Sequence, residues 1–489
     1  MTNNLLDLKP ANVWKHFYAL TQIPRPSGYM EEITAFIENF GKSLGLETLR
    51  DAANNICIRK PATPGYENRQ TLILQSHLDM VPQANSDLKF DFTKDAIQAY
   101  IDGNWVKAKG TTLGADNGIG VATTMAILEA TDLQHGPLEG IFTTDEETGM
   151  YGALAVRPGF IDGKIMLNLD SESDGELCIG CAGGEDVSVS FEYESEPVAL
   201  KEAIALKISL TGLKGGHSGV DIHLGRANAN KLMFRLLKDA MLNQNAWLVS
   251  VQGGSLRNAI PREAFATVVV GGEANYEGLI TLVDHYRSVF IREFDGIEDA
   301  IELKAERLPL PANNLLLIPL DVQRKLTHAI VGCPNGVINL FARIPDTVET
   351  SINMAIVQAD ERTAEVKFLA RSSSETKKQA ICSSVESLFI NACANQVELG
   401  NSYPGWNPNP DSVVLQIMKK VFETQRGCSP TVNVIHAGLE CGIILSNVPG
   451  LDTVSLGPTI QFPHSPDEKV EIASVQKFWD YLTGIMKEL

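Results

Sequence analysis

Three short runs, residues 72–76, 140–144 and 164–170, read as largely apolar strands. A strand of that kind has no side suited to water. It must be covered on both faces, an arrangement that parallel sheets with crossover helices provide. Helical patterns lie around these runs. Ile33, Phe36, Ile37, Phe40 and Leu44 mark one face of a helix that starts after Ser27-Gly28. Residues 118–130 read as a helix of small residues, with Ile119, Ala122, Met125 and Ala126 available for close packing. Strands spaced by helices predict an α/β fold with a mostly parallel sheet.

The pattern changes near Gly184. Val187, Val189, Phe191 and Tyr193 alternate with Ser188, Ser190 and Glu192, as expected of an antiparallel strand with one wet face. Ile204, Leu206, Ile208 and Leu210 repeat the signal, a helix follows over 228–242, and Val366, Phe368 and Ala370 alternate again. After Gly400 the first style returns, with a helix over 411–426, an apolar strand over 452–456 and a last helix over 475–488. The simplest organisation is an α/β domain, residues 1–186 and 399–489, interrupted by an α+β domain, residues 187–398. A cleft between two such domains is a usual place for a substrate.

Composition narrows the function. The 41 Lys and Arg stand against 60 Asp and Glu, a formal net charge of -19. Such a surface repels phosphate backbones and anionic membranes, so nucleic acid and membrane are not expected partners. No basic segment followed by an apolar run marks a secretory leader, and no stretch reaches the ~20 apolar residues of a membrane span. A cytoplasmic location is expected. The eight Cys are scattered; Cys178 and Cys181 form a CxxC without a second pair, which reads as reduced, packed thiols.

Metal-type ligands gather where strands end, the edge at which open α/β sheets place their sites. His77 and Asp79 follow the first run, and Asp116 lies in the Gly-rich turn GTTLGADNGIG. Asp145, Glu146 and Glu147 follow the second run, Asp170 closes the third, and His464 lies in GPTIQFPHSPDE after the last strand. Three carboxylates at one strand end repel each other unless a cation sits among them. Two imidazoles and three carboxylates (His77, Asp116, Glu147, Asp170 and His464) suit zinc, with cobalt and manganese as alternatives. Five ligands exceed one tetrahedral catalytic ion and suit two ions if one carboxylate bridges. Two ions ~3.5–4 Å apart can activate a water and polarise a carbonyl. Glu147 could then ligate while Glu146 faces the water as general base. Asp79 shares a face with His77 and could accept its other imidazole N–H. Asp145 is left as a solvated or capping acid.

The blocks HLDMV, GADNGIG, TTDEETGMYGA, LNLDSE and PHSPDE, in this order, resemble the co-catalytic zinc peptidases that include aminoacylase, carnosinase and peptidase T. GLKGGHSGVDIHLGRANAN resembles the lid of that family. GCAGGED, GGSLRNAIPRE and VIHAGLECGI resemble a bacterial dipeptidase branch of it, nearly end to end. The resemblance implies a di-zinc peptidase catalytic domain with an inserted lid that closes on substrate, and it suggests a homodimer. It assigns His77, Asp116 and Asp170 to one ion, and Asp116, Glu147 and His464 to the other, with Asp116 as the bridge. Glu146 becomes the base, and His217 the lid histidine that stabilises the oxyanion. Asn258 and Arg371 match substrate-holding segments, with Arg371 suited to a dipeptide's terminal carboxylate. The implied reaction is hydrolysis of an unblocked dipeptide, Xaa-His including β-alanyl-histidine. An N-acyl amino acid deacylase could use the same metals and base. A binding protein with a dead site is a third reading, and Glu146 argues against it.

His436 and Glu440 in HAGLECG are surplus to the ligand set. They line the substrate pocket or support His464, or they belong to an ordinary Gly-rich turn. His16, His135, His223, His285 and His328 show no partner pattern and default to packing or surface roles.

Overall fold

The computed structural model describes residues 4–197, 202–309 and 316–489. The three apolar runs become strands Leu72–His77, Leu138–Thr143 and Ile165–Asn168, buried at every position. They pair in parallel, and Asp452–Ser455 joins them in parallel from the last part of the chain. These four strands form the centre of an eight-stranded sheet. Its margins are antiparallel: Ile56–Lys60 pairs with Leu138–Thr143, Glu47–Arg50 pairs with Ile56–Lys60, and Glu176–Cys181 meets Asp452–Ser455. The doubly covered centre is thus parallel, as continuous apolar runs demand. Parallel strands end at one common edge, and that edge carries the candidate ligands.

Helices Ala11–Thr21, Glu31–Ser43 and Ala115–Glu129 pack on this sheet, with Trp14, Phe17, Ile33, Ile37, Ile119, Met125 and Phe142 in one core. Helix Ala115–Glu129 follows Gly114 in the left-handed region, and its Asp116 and Asn117 depart from helical dihedrals. Regular turns therefore begin at Gly118, where the small-residue pattern starts. Those small residues allow close approach. A Cβ at Gly120 would lie 2.8 Å from the backbone oxygen of Leu169 and would strike the Asn117 side chain.

The chain divides into two compact units, Met1–Cys181 with Trp406–Val434 and Leu439–Leu489, and Ala182–Gly405 with Ile435–Gly438. The transitions fall a few residues outside 186/187 and 398/399, where alternation becomes visible. Strand Gly183–Glu192 already pairs at Gly183 and Gly184, whose lack of side chains hides the pattern. Strand Gln396–Tyr403 pairs with it as far as Tyr403. The second unit holds a nine-stranded antiparallel sheet. Val187, Val189 and Phe191 point into its core, and the intervening serines are half-buried. Helices Ala229–Asn243, Gly272–Glu293, Leu320–Gly332 and Glu375–Asn391 contribute Phe234, Phe290, Leu326 and Phe389 to that core.

Gly120→Ala is expected to destabilise the protein by about 1–3 kcal/mol, because overpacking against Leu169 and Asn117 outweighs the gain of up to ~1 kcal/mol in helix propensity. Urea unfolding of the two proteins decides it; a variant as stable as the parent would show that this helix has room at its start.

Candidate metal centre

His77 is the last residue of its strand, and Asp170 lies two residues past Ile165–Asn168. Asp116 sits in the turn where the small-residue helix begins. Folding brings them together. His77 Nε2 lies 3.1 Å from Asp116 Oδ1 and 3.3 Å from Asp170 Oδ1. His464 Nε2 lies 3.2 Å from Asp116 Oδ2 and 3.1 Å from Glu147 Oε2. Asp116 therefore turns one oxygen to each imidazole, the posture of a bridging carboxylate. Ligand atoms of His77, Asp116 and Asp170 converge within 4.8 Å, as do those of Asp116, Glu147 and His464, and those of His77, Glu146 and Glu147. Glu147 Oε1 is buried without a hydrogen-bond partner, which marks a position for a cation. The residues present fit two divalent ions.

Without a cation, protons must balance this charge. Hydrogen bonds to Asp116 and Glu147 push the His464 imidazole up to about 11. Burial raises the Asp170 carboxyl to about 6, against the pull of His77. Burial also works on Asp116, but hydrogen bonds from His464 and His77 hold it well below the usual carboxylate range. Glu146 receives no such help. Burial pushes its carboxyl well above the ordinary value, with Asp170, Glu440 and Glu147 adding to the push against His77. A raised carboxyl suits a proton acceptor working near neutrality.

Asp79 is fully buried, and its task is wider than orienting one ring. Its Oδ1 lies 3.4 Å from His77 Nδ1, which also meets the Asp79 backbone oxygen at 3.1 Å. The same carboxylate accepts the N–H groups of Glu146 (3.0 Å) and Glu147 (3.1 Å) and the Ser27 hydroxyl (2.7 Å). It thereby fixes the turn that carries Glu146 and Glu147. Asp145, the spare acid, accepts the Gly28 N–H at 2.6 Å. Two further residues escaped notice in the sequence. Arg25, within IPRPSG, buries its guanidinium and donates to the backbone oxygens of Leu78, Asp79 and Gly114. Glu468, the last residue of PHSPDE, accepts backbone N–H groups from the turn before Asp116. Burial pushes its carboxyl up to about 7, and those amides pull it back. Arg25 had no motif to reveal it; Glu468 lay inside a motif read only for its histidine.

HAGLECG divides between the two units. Glu440 is 1% exposed in the first unit, where it accepts from Gln75 Nε2 at 2.6 Å and the Thr143 hydroxyl at 2.8 Å. Its partners lie along the strands and not at His464, and burial leaves it no face for a substrate. His436 belongs to the second unit and shares a 2.7 Å hydrogen bond with the Ser351 hydroxyl. Ser351 stands opposite Arg371 in the sheet register. Arg371 is buried; Nη1 donates to the Tyr403 hydroxyl at 2.9 Å, while Nε meets no acceptor among the described residues. His217 Nδ1 accepts the N–H groups of Gly219 and Val220, each at 3.1 Å. That leaves Nε2 to carry the proton, so His217 presents a donor. Burial and Arg371 both lower its basicity. Asn258 is exposed, and its backbone oxygen accepts the Ser218 N–H at 2.7 Å beside the Gly216–His217 strand. Cys178 and Cys181 are buried and lie outside every metal-capable group among the described residues.

Residues 73–488 match peptidase family M20/M25/M40, and the chain belongs to that family. It is therefore a peptidase-family enzyme. Over 487 residues it is 42% identical to the cytosol non-specific dipeptidase of Escherichia coli (strain K12), covering 100% of this chain and 99% of that one. The crystal structure of aminoacylhistidine dipeptidase from Vibrio alginolyticus superposes with a TM-score of 0.94 at 42% identity, over 99% of this chain and 98% of that one. Aminopeptidase PepT from Bacillus cereus shares the fold, with a TM-score of 0.56 at 17% identity over 98% of this chain and 99% of that one. Among the described residues, no helix is long and apolar enough to cross a membrane.

The buried His436 gives a pH test. Burial first, then the charge of Arg371 with smaller effects of His217 and His223, lowers its pKa to about 3. The unfolded chain titrates this group near ~6.5 and so binds more protons between the two values. Stability is expected to fall as pH drops below about 6.5, by up to ~1.4 kcal/mol per pH unit from this residue. His436→Gln should flatten that slope in urea midpoints measured at pH 7 and pH 5; an unchanged slope would acquit His436.

Proposed function

We propose that the chain is a metal-dependent dipeptidase acting on unblocked dipeptides, with Xaa-His and β-alanyl-histidine among its substrates. The observation that carries the reading is Asp116, which offers one oxygen to the His77 cluster and the other to the His464 cluster. His77, Asp116 and Asp170 would hold one ion, and Asp116, Glu147 and His464 the other, zinc being the expected metal. When bound, the ions would polarise the scissile carbonyl and acidify the attacking water.

The chain's own groups do the rest. Glu146 takes the proton from the water and later delivers it to the leaving amine. Its backbone N–H, held by Asp79, keeps that carboxylate aimed. His217 offers Nε2–H to the oxygen that becomes negative in the tetrahedral stage, and a neutral imidazole does so without titrating. Arg371, whose Nε meets no acceptor among the described residues, pairs with the substrate's terminal carboxylate. His436 and Asn258 are assigned to substrate contact near it. Full-length likeness to two dipeptidases supports the reaction class, and likeness to an E. coli cytosolic enzyme supports a cytosolic location.

A panel of dipeptides, free or blocked at either end, tests the assignment before and after chelation and zinc return. Free dipeptides should be cleaved, chelation should abolish turnover, and zinc should restore it. Preference for N-acylated amino acids would make the chain a deacylase. Glu146→Ala should retain both ions and lose about 10²–10⁴-fold in kcat; full turnover in that variant would remove Glu146 as the base.

A further inference from the structure

Two segments far apart in the chain meet at Glu468. The first, residues 463–468, carries His464 and follows strand Ile460–Gln461. It folds back on itself: Glu468 N–H donates to Ser465 O at 3.0 Å, and Asp467 N–H to the Ser465 hydroxyl at 3.2 Å. The second is the turn that opens helix Ala115–Glu129 and carries Asp116. The Glu468 side chain crosses from one to the other. One oxygen accepts the N–H groups of Leu113 (2.7 Å) and Gly114 (2.9 Å), and the other those of Ala115 (2.7 Å) and Asp116 (3.2 Å). These successive amides include some that a helix start leaves without intrahelical partners. A carboxylate meets all of them with charge-assisted bonds, and its charge suits the positive end of the helix.

Arg25 extends the strut. Its guanidinium is 2% exposed and ties Gly114 O to the backbone oxygens of Leu78 and Asp79. The loop after His77, the turn before Asp116 and the segment holding His464 are thus joined by one buried anion and one buried cation. Glu468 is not itself a ligand. Both its oxygens are committed to amides, and it belongs to no metal-capable group among the described residues.

We propose that Glu468 is a positioning residue of the metal centre: by gripping the amides of residues 113–116 it sets the separation between Asp116 and His464 before any ion arrives. This rests on the two-ion assignment under Proposed function. The competing account is a plain helix cap, which would support folding and leave the ions indifferent.

Glu468→Gln and Glu468→Asp separate the two accounts. Gln keeps the length but can accept through one oxygen only, so half of the grip is lost; Asp keeps the charge but falls short by a methylene. Stepwise zinc titration of chelated protein should show Glu468→Gln binding one of its two ions about 10–100-fold more weakly, the range for groups that orient ligands. Its kcat should recover as zinc is raised, and Glu468→Asp should fall between it and the parent. Parental affinity for both ions in Glu468→Gln, even with a lowered Tm, would make Glu468 a cap and overturn the proposal. Hydrogen exchange on the unaltered protein does not depend on the variants folding. After chelation, amides 113–116 should stay protected; exchange at loop rates would show that the metal makes the grip, and would overturn the proposal equally. An unaltered protein that takes up fewer than two ions sinks both this inference and the reading beneath it, whereas the variant result sinks this inference alone.

Discussion

Like charges brought within a few ångströms of each other dominate the first unit. At ~4 Å and an effective dielectric of ~20, two carboxylates repel by about 4 kcal/mol. Asp116, Asp170 and Glu147 are nevertheless held around His77 and His464 at hydrogen-bond distances. In the absence of metal, protons supply the compensation: hydrogen bonds to Asp116 and Glu147 make His464 unusually basic, while burial, with the charge of Asp116 adding to it, raises the Asp170 carboxyl to about 6. Divalent ions would displace those protons and neutralise the same charge with shorter contacts. Metal uptake and proton release are then one equilibrium, so affinity must rise with pH until the imidazoles have surrendered their protons.

A cluster under such repulsion would spread if its ligands hung on mobile side chains alone. Instead, buried charges clamp the backbone that carries them. Asp79 holds the amides of Glu146 and Glu147, Glu468 holds those of residues 113–116, and Arg25 holds the oxygens of Leu78, Asp79 and Gly114. Each clamp closes on main-chain dipoles, whose geometry is set by the sheet edge and the helix start. Such charges are costly to bury, and their hydrogen bonds offset the cost only because nearly every lone pair and proton finds a partner. The arrangement trades stability for a preformed ligand geometry, as sites that must bind and react commonly do.

The parts legible in the sequence were those with a period or a motif. Continuous apolar runs disclosed the parallel centre, and alternation from Val187 disclosed the antiparallel sheet, though Gly183 and Gly184 concealed where it starts. His77, Asp116, Glu147, Asp170 and His464 could be collected because strand ends announce themselves. Asp79 was assigned one partner, and its grip on the next turn was invisible, because a loop-to-loop hydrogen bond leaves no spacing to read. Arg25 was hidden for the same reason. HAGLECG left several roles open for His436 and Glu440, because chain proximity gives no sign that the chain changes units between them.

The second unit shows the opposite electrostatic design. Arg371 is a buried cation there, and the imidazoles that feel it, His217 and His436, are driven toward neutrality by burial and by that same charge. A protonated His217 would lose the two N–H bonds at Nδ1 that fix its ring. Neutrality therefore preserves both its orientation and its free Nε2–H. On the proposed reading, a buried guanidinium beside neutral imidazoles would favour an anion at Arg371 and let a nascent oxyanion be met by a dipole. That division would separate binding from chemistry: the guanidinium would attract the substrate's charge throughout, while the imidazole would gain strength only as negative charge develops.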